Sequence, residues 1–244
     1  MRRFFRNNGL SLVLLALFLV CLVGQSVTGM REYNEDQEQH QQPRVTLVEY
    51  LGTGHFVESV FENWESEFLQ MAAFVVFTIG LRQKGSPESK KMSGKEEVDA
   101  DPREKRDDPS APWPVRRGGL VLKVYEHSLT IALMLLFIAS LALHAAGGAR
   151  EYNQDQLEHG AETITTLAYI GTARFWFESF QNWQSEFLSV GVLVLLQIFL
   201  RQRGSPESKP VAAPHGVTGQ EGGEDEGGED EGGGAPRKGK RKAA

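Results

Sequence analysis

The strongest constraint on this 244-residue chain is that much of it is written twice. Displaced by 119 residues, residues 31–90 lie over residues 150–209 without a gap, and about half of the positions are identical. Arg31-Glu32-Tyr33-Asn34-Glu35-Asp36-Gln37 returns as Arg150-Glu151-Tyr152-Asn153-Gln154-Asp155-Gln156. Tyr50, Gly52, Thr53 and Phe56 return as Tyr169, Gly171, Thr172 and Phe175, and Asn63-Trp64 and Ser66-Glu67-Phe68-Leu69 also recur. Similarity at a fixed spacing points to one structural unit used twice.

Apolar residues are gathered into blocks. Residues 9–29 are uncharged, 21 in number, and reach about 31 Å as a helix, enough for the hydrocarbon core of a bilayer. Residues 128–149 are also uncharged, with His144 as the odd member. Residues 68–81 and 187–200 are short for spans, but an aromatic-rich helical pattern precedes each. Each also ends in a stop signal, cations followed by glycine and proline: Arg82-Gln83-Lys84-Gly85-Ser86-Pro87 and Arg201-Gln202-Arg203-Gly204-Ser205-Pro206. The expectation is an all-α polytopic membrane protein with four transmembrane helices, at about 9–29, 62–81, 120–149 and 181–200. The 119-residue shift lays the first span on the third. Two spans per copy is an even number, so both copies insert in one direction, as two tandem parallel hairpins, 1–91 and 118–209. A removable secretory signal is the alternative for the first span, but it would have no reason to match an internal one.

Arg2, Arg3 and Arg6 precede the first span, and further cations (Arg82, Lys84, Lys90, Lys91, Arg116, Arg117, Lys123, Arg201, Arg203) flank the others on the same side. The segment before the second span carries only Arg31 and Arg44, and the segment before the fourth only Arg150 and Arg174. Positive residues mark the cytoplasmic side, so both termini are expected inside, with two acidic loops and amphipathic helices on the outer face. Residues 92–117, rich in charge and proline, read as a disordered cytoplasmic linker, and residues 210–244 as a disordered acidic and basic tail. The basic end of that tail has two readings, contact with anionic lipid or RNA, or a solubilising tail without a fixed partner.

Depth along the helices singles out polar positions. Glu67 and Glu186 lie 14 residues before Leu81 and Leu200, about 9 Å inside the outer edge of a 30 Å core. Gln25 and His144 correspond under the repeat and fall in the same layer. An ionised group at that depth is paired, hydrated or neutralised. Asn63 and Asn182, four residues before the glutamates, extend a polar seam, and Arg31 and Arg150 are candidate compensating cations. One reading turns Glu67 and Glu186 into the bundle, with His144 on Glu186; the other has the helices begin lower and leaves both glutamates wet. Trp64, Trp176 and Trp183 lie on an aromatic stripe suited to interface anchors. Asp36 with His40, and Asp155 with His159, are weak metal candidates whose alternative is a solvated helix face.

A single cysteine, Cys21, removes disulfide frameworks and cysteine zinc sites, and a net charge of −6 gives no reason to expect nucleic acid. No nucleotide loop, metalloprotease pattern, nucleophile elbow or haem motif is present, so neither an enzyme nor a cofactor is expected.

The doubled Arg-Glu-Tyr-Asn-x-Asp-Gln and Asn-Trp-x-Ser-Glu-Phe-Leu hairpins, each closed by Gly-Ser-Pro-Glu-Ser-Lys, resemble a family of bacterial membrane proteins described only as a domain of unknown function. The resemblance runs from Arg2 to about Pro210. It implies a bacterial inner-membrane location and brings no activity or active residues. The function expected is structural or regulatory in the cell envelope. The alternative is a small proton- or cation-conducting protein using Glu67, Glu186 and His144. The partners expected are the lipid bilayer and either a second copy or an envelope protein, with no nucleic acid.

Overall fold

A computed structural model describes residues 2–219, and all the regular structure among them is helical. The glycine-rich acidic blocks and the basic end expected to be disordered lie outside the described residues from 220 onward. The helices are α1 (Arg2–Gln39), α2 (Leu47–Tyr50), α3 (Gly54–Gly80), α4 (Trp113–Arg117), α5 (Gly119–Glu126), α6 (Ser128–Glu158), α7 (Thr166–Ile170) and α8 (Ala173–Phe199). By packing they divide into two units, residues 2–77 with 101–191, and residues 78–100 with 192–219.

Two helices, α1 and α6, are long and apolar enough to cross a membrane. Their apolar side chains face outward: Leu10 is 77 % exposed, Val20 69 % and Leu135 63 %. α1 does not end at Gly29. No proline or further glycine interrupts the charged segment after it, so the helix continues to Gln39 and stops where Gln41 takes a positive φ, two residues before Pro43. The third apolar helix likewise starts at Ser128 and not near residue 120. Gly118 and Gly119 have positive φ, α5 is a separate eight-residue piece, and His127 leaves helical geometry between α5 and α6.

α3 and α8 are 27 residues each, about 40 Å. Each joins the aromatic stripe and the short apolar stretch in one continuous helix, so the expected amphipathic helices are the first turns of α3 and α8. Polar residues in their first halves lower the hydropathy of both, and neither is among the helices apolar enough to cross a membrane. Residues 92–117, expected to lack structure, hold 3-10 turns at Glu97–Asp99 and Pro102–Lys105 as well as α4. Asp101 caps the second turn by accepting from the Arg103 amide, and Pro102 presets its φ.

In the first unit, residues 119 apart make the same bonds. Asn34 grips the main chain of Val45, donating at 2.9 Å and accepting at 2.7 Å, and Asn153 does the same to Ile164 at 2.8 Å in both directions. Thr46 caps α2 by accepting from the Glu49 amide, and Thr165 caps α7 by accepting from that of Ala168. Tyr50 packs on Tyr33 and Phe56, with ring centroids 5.7 and 5.5 Å away, as Tyr169 packs on Tyr152 and Phe175 at 5.9 and 5.7 Å. Tyr169 and Phe175 are fully buried with Ala145 and Ala149, and this is the core of the unit.

In the second unit, the repeated Gly-Ser-Pro-Glu-Ser-Lys segments form like turns. Ser89 accepts from the Gln83 amide and Ser208 from that of Gln202, each at 2.9 Å. Gly85, with φ of 87°, takes a conformation that only glycine adopts without strain, and its amide donates to Thr218.

Candidate functional site

His144 on α6 has no solvent exposure and is held by carboxylates on two other helices. Its Nδ1 lies 2.7 Å from Glu65 Oε2 on α3, and its Nε2 lies 3.4 Å from Glu178 Oε2 on α8. The ring stacks on Phe175 at 4.9 Å, which fixes its plane. Glu65 is also fully buried, and its other oxygen accepts from the Trp183 indole at 2.9 Å. A buried carboxylate with both oxygens bonded is a rigid anchor for an imidazole.

On the far side of the ring, the Tyr169 hydroxyl donates to Glu178 Oε2 at 2.7 Å and stands 3.2 Å from Glu58 Oε1. Burial, and then its bond to Glu178, push the Tyr169 phenol well above the ordinary tyrosine range, so it remains a hydroxyl. Arg174 donates from Nε to Glu178 Oε1 at 2.9 Å and from Nη1 to Asp155 Oδ2 at 3.0 Å. The chain of contacts thus runs from the closed interior at Glu65 to the half-exposed Arg174 and Asp155.

Glycines bring the helices this close. A Cβ at Gly147 would stand 2.5 Å from the Glu58 main-chain nitrogen, and one at Gly148 would stand 2.6 Å from the Tyr169 ring. No side chain larger than hydrogen fits between α6 and these neighbours.

Several positions singled out from the sequence lie elsewhere. Glu67 is exposed and Glu186 half-buried, and His144 bonds Glu65 and Glu178 in place of Glu186. Helical periodicity gives the reason: residues 65 and 67, two apart on a helix, point in different directions. Gln25 is exposed and reaches Ser59, while Asn63 bonds the Ser59 carbonyl, one turn back, and not Glu67. Asn182 is half-buried, and its carbonyl accepts from Ser185. Arg31 and Arg150 are exposed, and the cation in the network is Arg174. Trp64 packs on Phe18 and Phe61, and Trp176 is 40 % exposed beside Phe180, whereas Trp183 carries a buried hydrogen bond as well. His40 and His159 each bond a main-chain oxygen, those of Asp36 and Asp155, and Asp155 is paired with Arg174.

Tyr169, Trp183 and Phe175 recur in the first copy as Tyr50, Trp64 and Phe56, but five ionisable residues of the centre do not recur. At 119-residue spacing, His144 stands opposite Gln25, Glu65 opposite Gln184, Glu58 opposite Phe177, Glu178 opposite Ser59 and Arg174 opposite His55. A search for recurring residues passes over them, and a search for ionisable residues lost from one copy finds them.

The model of one family, the domain of unknown function DUF6766, matches residues 1–220. No curated protein and no solved structure matches the chain.

Proposed function

The chain belongs to this uncharacterised family, and from that premise we propose that it is a multi-pass protein of the bacterial inner membrane, structural or regulatory in the envelope. Two tandem hairpins, with α3 and α8 as the second span of each, are clasped together by a buried polar centre. The observation that carries this reading is that the centre is built from both copies. Glu58 and Glu65 come from the first copy, and His144, Tyr169, Glu178 and Trp183 from the second. Tyr33 and Gln154 add a further bond across the copies at 3.1 Å. Ionisable groups at membrane depth are costly unless paired, so an arrangement of this kind fixes one packing of the helices. The apolar faces of α1 and α6 supply the surface that lipid covers.

Both termini are then cytoplasmic, and the acidic segments around residues 31–53 and 150–172 face out as the surface for an envelope partner. The test uses single cysteines at 31, 84, 150 and 203 in a Cys21→Ala background, with a membrane-impermeant maleimide added to intact cells. Positions 31 and 150 should label at once, and 84 and 203 only after lysis. Labelling of 84 or 203 in intact cells overturns the four-span orientation. Photo-crosslinkers at Glu35 and Gln154 test the partner surface: a discrete adduct that disappears on altering the outer loops is expected.

Conduction through Glu67, Glu186 and His144 needs those three groups on one path. Both ring nitrogens of His144 are engaged by Glu65 and Glu178, which supports a fixed centre at His144 instead.

A further inference from the structure

We propose that Glu58, His144 and Glu178 bind one divalent transition-metal ion, with Glu65 as the residue that positions the histidine. One oxygen from each glutamate and a nitrogen of His144 all lie within 4.8 Å of one another. A tetrahedral ion with bonds of about 2.0–2.1 Å needs ligand atoms about 3.4 Å apart, which side-chain rotations of roughly 1 Å supply. The proposal does not depend on membrane topology.

Two observations point to a metal. The first is the imidazole. Glu65 engages Nδ1, which leaves Nε2 directed at Glu178, and a carboxylate on the far nitrogen is how metal-ligating histidines are held. Glu65 is itself fixed by Trp183, so the orientation is built in two layers. The second is charge. Glu58 and Glu65 are buried, and Glu62, Glu151 and Glu178 lie within electrostatic reach of the same pocket. Arg174, shared with Asp155, is the permanently charged cation among them. Buried carboxylates are tolerated when protonated, hydrogen-bonded or beside a cation, and a metal ion is a cation that this ligand set also fits.

The donor set selects the kind of ion. Two carboxylate oxygens with one imidazole nitrogen suit zinc, manganese or iron, whereas magnesium and calcium prefer oxygen throughout. Three protein ligands leave a coordination position for water, beside the Tyr169 hydroxyl. Glu178, with a side chain 17 % exposed, marks the side of entry.

The test uses the full-length chain purified in detergent, stripped with a chelator and titrated with zinc and with cobalt(II). Expected are about one ion per chain and visible d–d bands from cobalt. Glu58→Gln and Glu178→Gln, which keep shape and remove charge, should each abolish stoichiometric binding. Glu65→Gln should weaken binding by about 10- to 100-fold, shift the cobalt spectrum and keep the stoichiometry. A His40→Gln/His159→Gln double variant should bind as the wild type does. Circular dichroism and the elution position show whether each variant is folded, and the two glutamate variants are read independently of each other. Wild-type protein that takes up no stoichiometric metal overturns the proposal. So does binding that Glu58→Gln and Glu178→Gln leave intact, or binding lost in the His40/His159 variant.

Discussion

Gln25 reaches Ser59 with its amide Nε2, 3.4 Å from the main-chain oxygen and 3.5 Å from the hydroxyl. These two residues lie 119 positions before His144 and Glu178, which face each other at the same separation of 3.4 Å. The first copy therefore holds a neutral pair where the second holds an imidazole and a carboxylate.

That correspondence predicts how the centre fails. His144→Gln installs the first copy's residue in the second and leaves Glu65 buried with the indole alone. A stability loss of about 3–5 kcal/mol is expected from orphaning a buried charge. Glu65→Gln on top of it should recover part of the loss, measured by thermal unfolding in detergent as a double-mutant cycle. A purely additive result would mean that the two side chains do not share an interaction.

The glycines divide into tight and open positions. Gly147→Ala drives a Cβ into the main chain at Glu58 and should cost about 1–3 kcal/mol, with the loss visible as a lower unfolding midpoint. Gly24→Ala meets nothing within 4 Å and should be neutral or stabilising by up to about 1 kcal/mol, because alanine is the better helix former. Equal effects at the two positions would contradict the close approach of α6 to α3.

Asn34 and Asn153 close two equivalent bends. Asn34→Ala and Asn153→Ala each remove a donor and an acceptor from a main-chain grip, at about 1–3 kcal/mol apiece. Similar losses should accompany faster proteolysis near residues 41–45 in the first variant and 160–164 in the second. Cleavage patterns identical to wild type would show that the grips do not order these bends.

Tyr50 makes stability fall in alkali. Burial, with the charges of Glu32 and Glu151, pushes its phenol up to about 12. The folded chain keeps a proton that the unfolded chain releases near the ordinary value of about 10. Stability is therefore unaffected by this group below about pH 10 and drops as pH rises from there toward 12. Tyr50→Phe, compared with wild type by unfolding at pH 9 and 11, should show the smaller drop.

Much of the fold was legible because it depends on local rules. Apolar runs and the cations before Gly85 and Gly204 located the C-terminal ends of α3 and α8 to within a residue, but both helices start eight residues before the expected 62 and 181, and α6 runs over 128–158 and not 120–149. The ends of α1 and α5 were not legible from the same signs. Hydropathy marks where lipid is preferred, whereas a helix stops where the backbone is forced to turn, at Gln41 or at Gly118 and Gly119. The centre was legible at His144, the polar residue in an apolar run. Its partners were not, because which of Glu62, Glu65 and Glu67 meets His144 depends on the rotation of α3 about its axis. Gly54 and Gly147 set that rotation by contact between helices far apart in sequence.

The division of the centre between the two copies also governs the order in which the protein comes into being. Synthesis delivers Glu58 and Glu65 before residue 144 exists, so the first half waits at the ribosome with its acids unanswered. A chain broken off in the segment 92–117 would hold those acids permanently without His144, Tyr169 or Trp183. Such a fragment is marked as unfinished by its own chemistry, and only completion of α8 removes the mark.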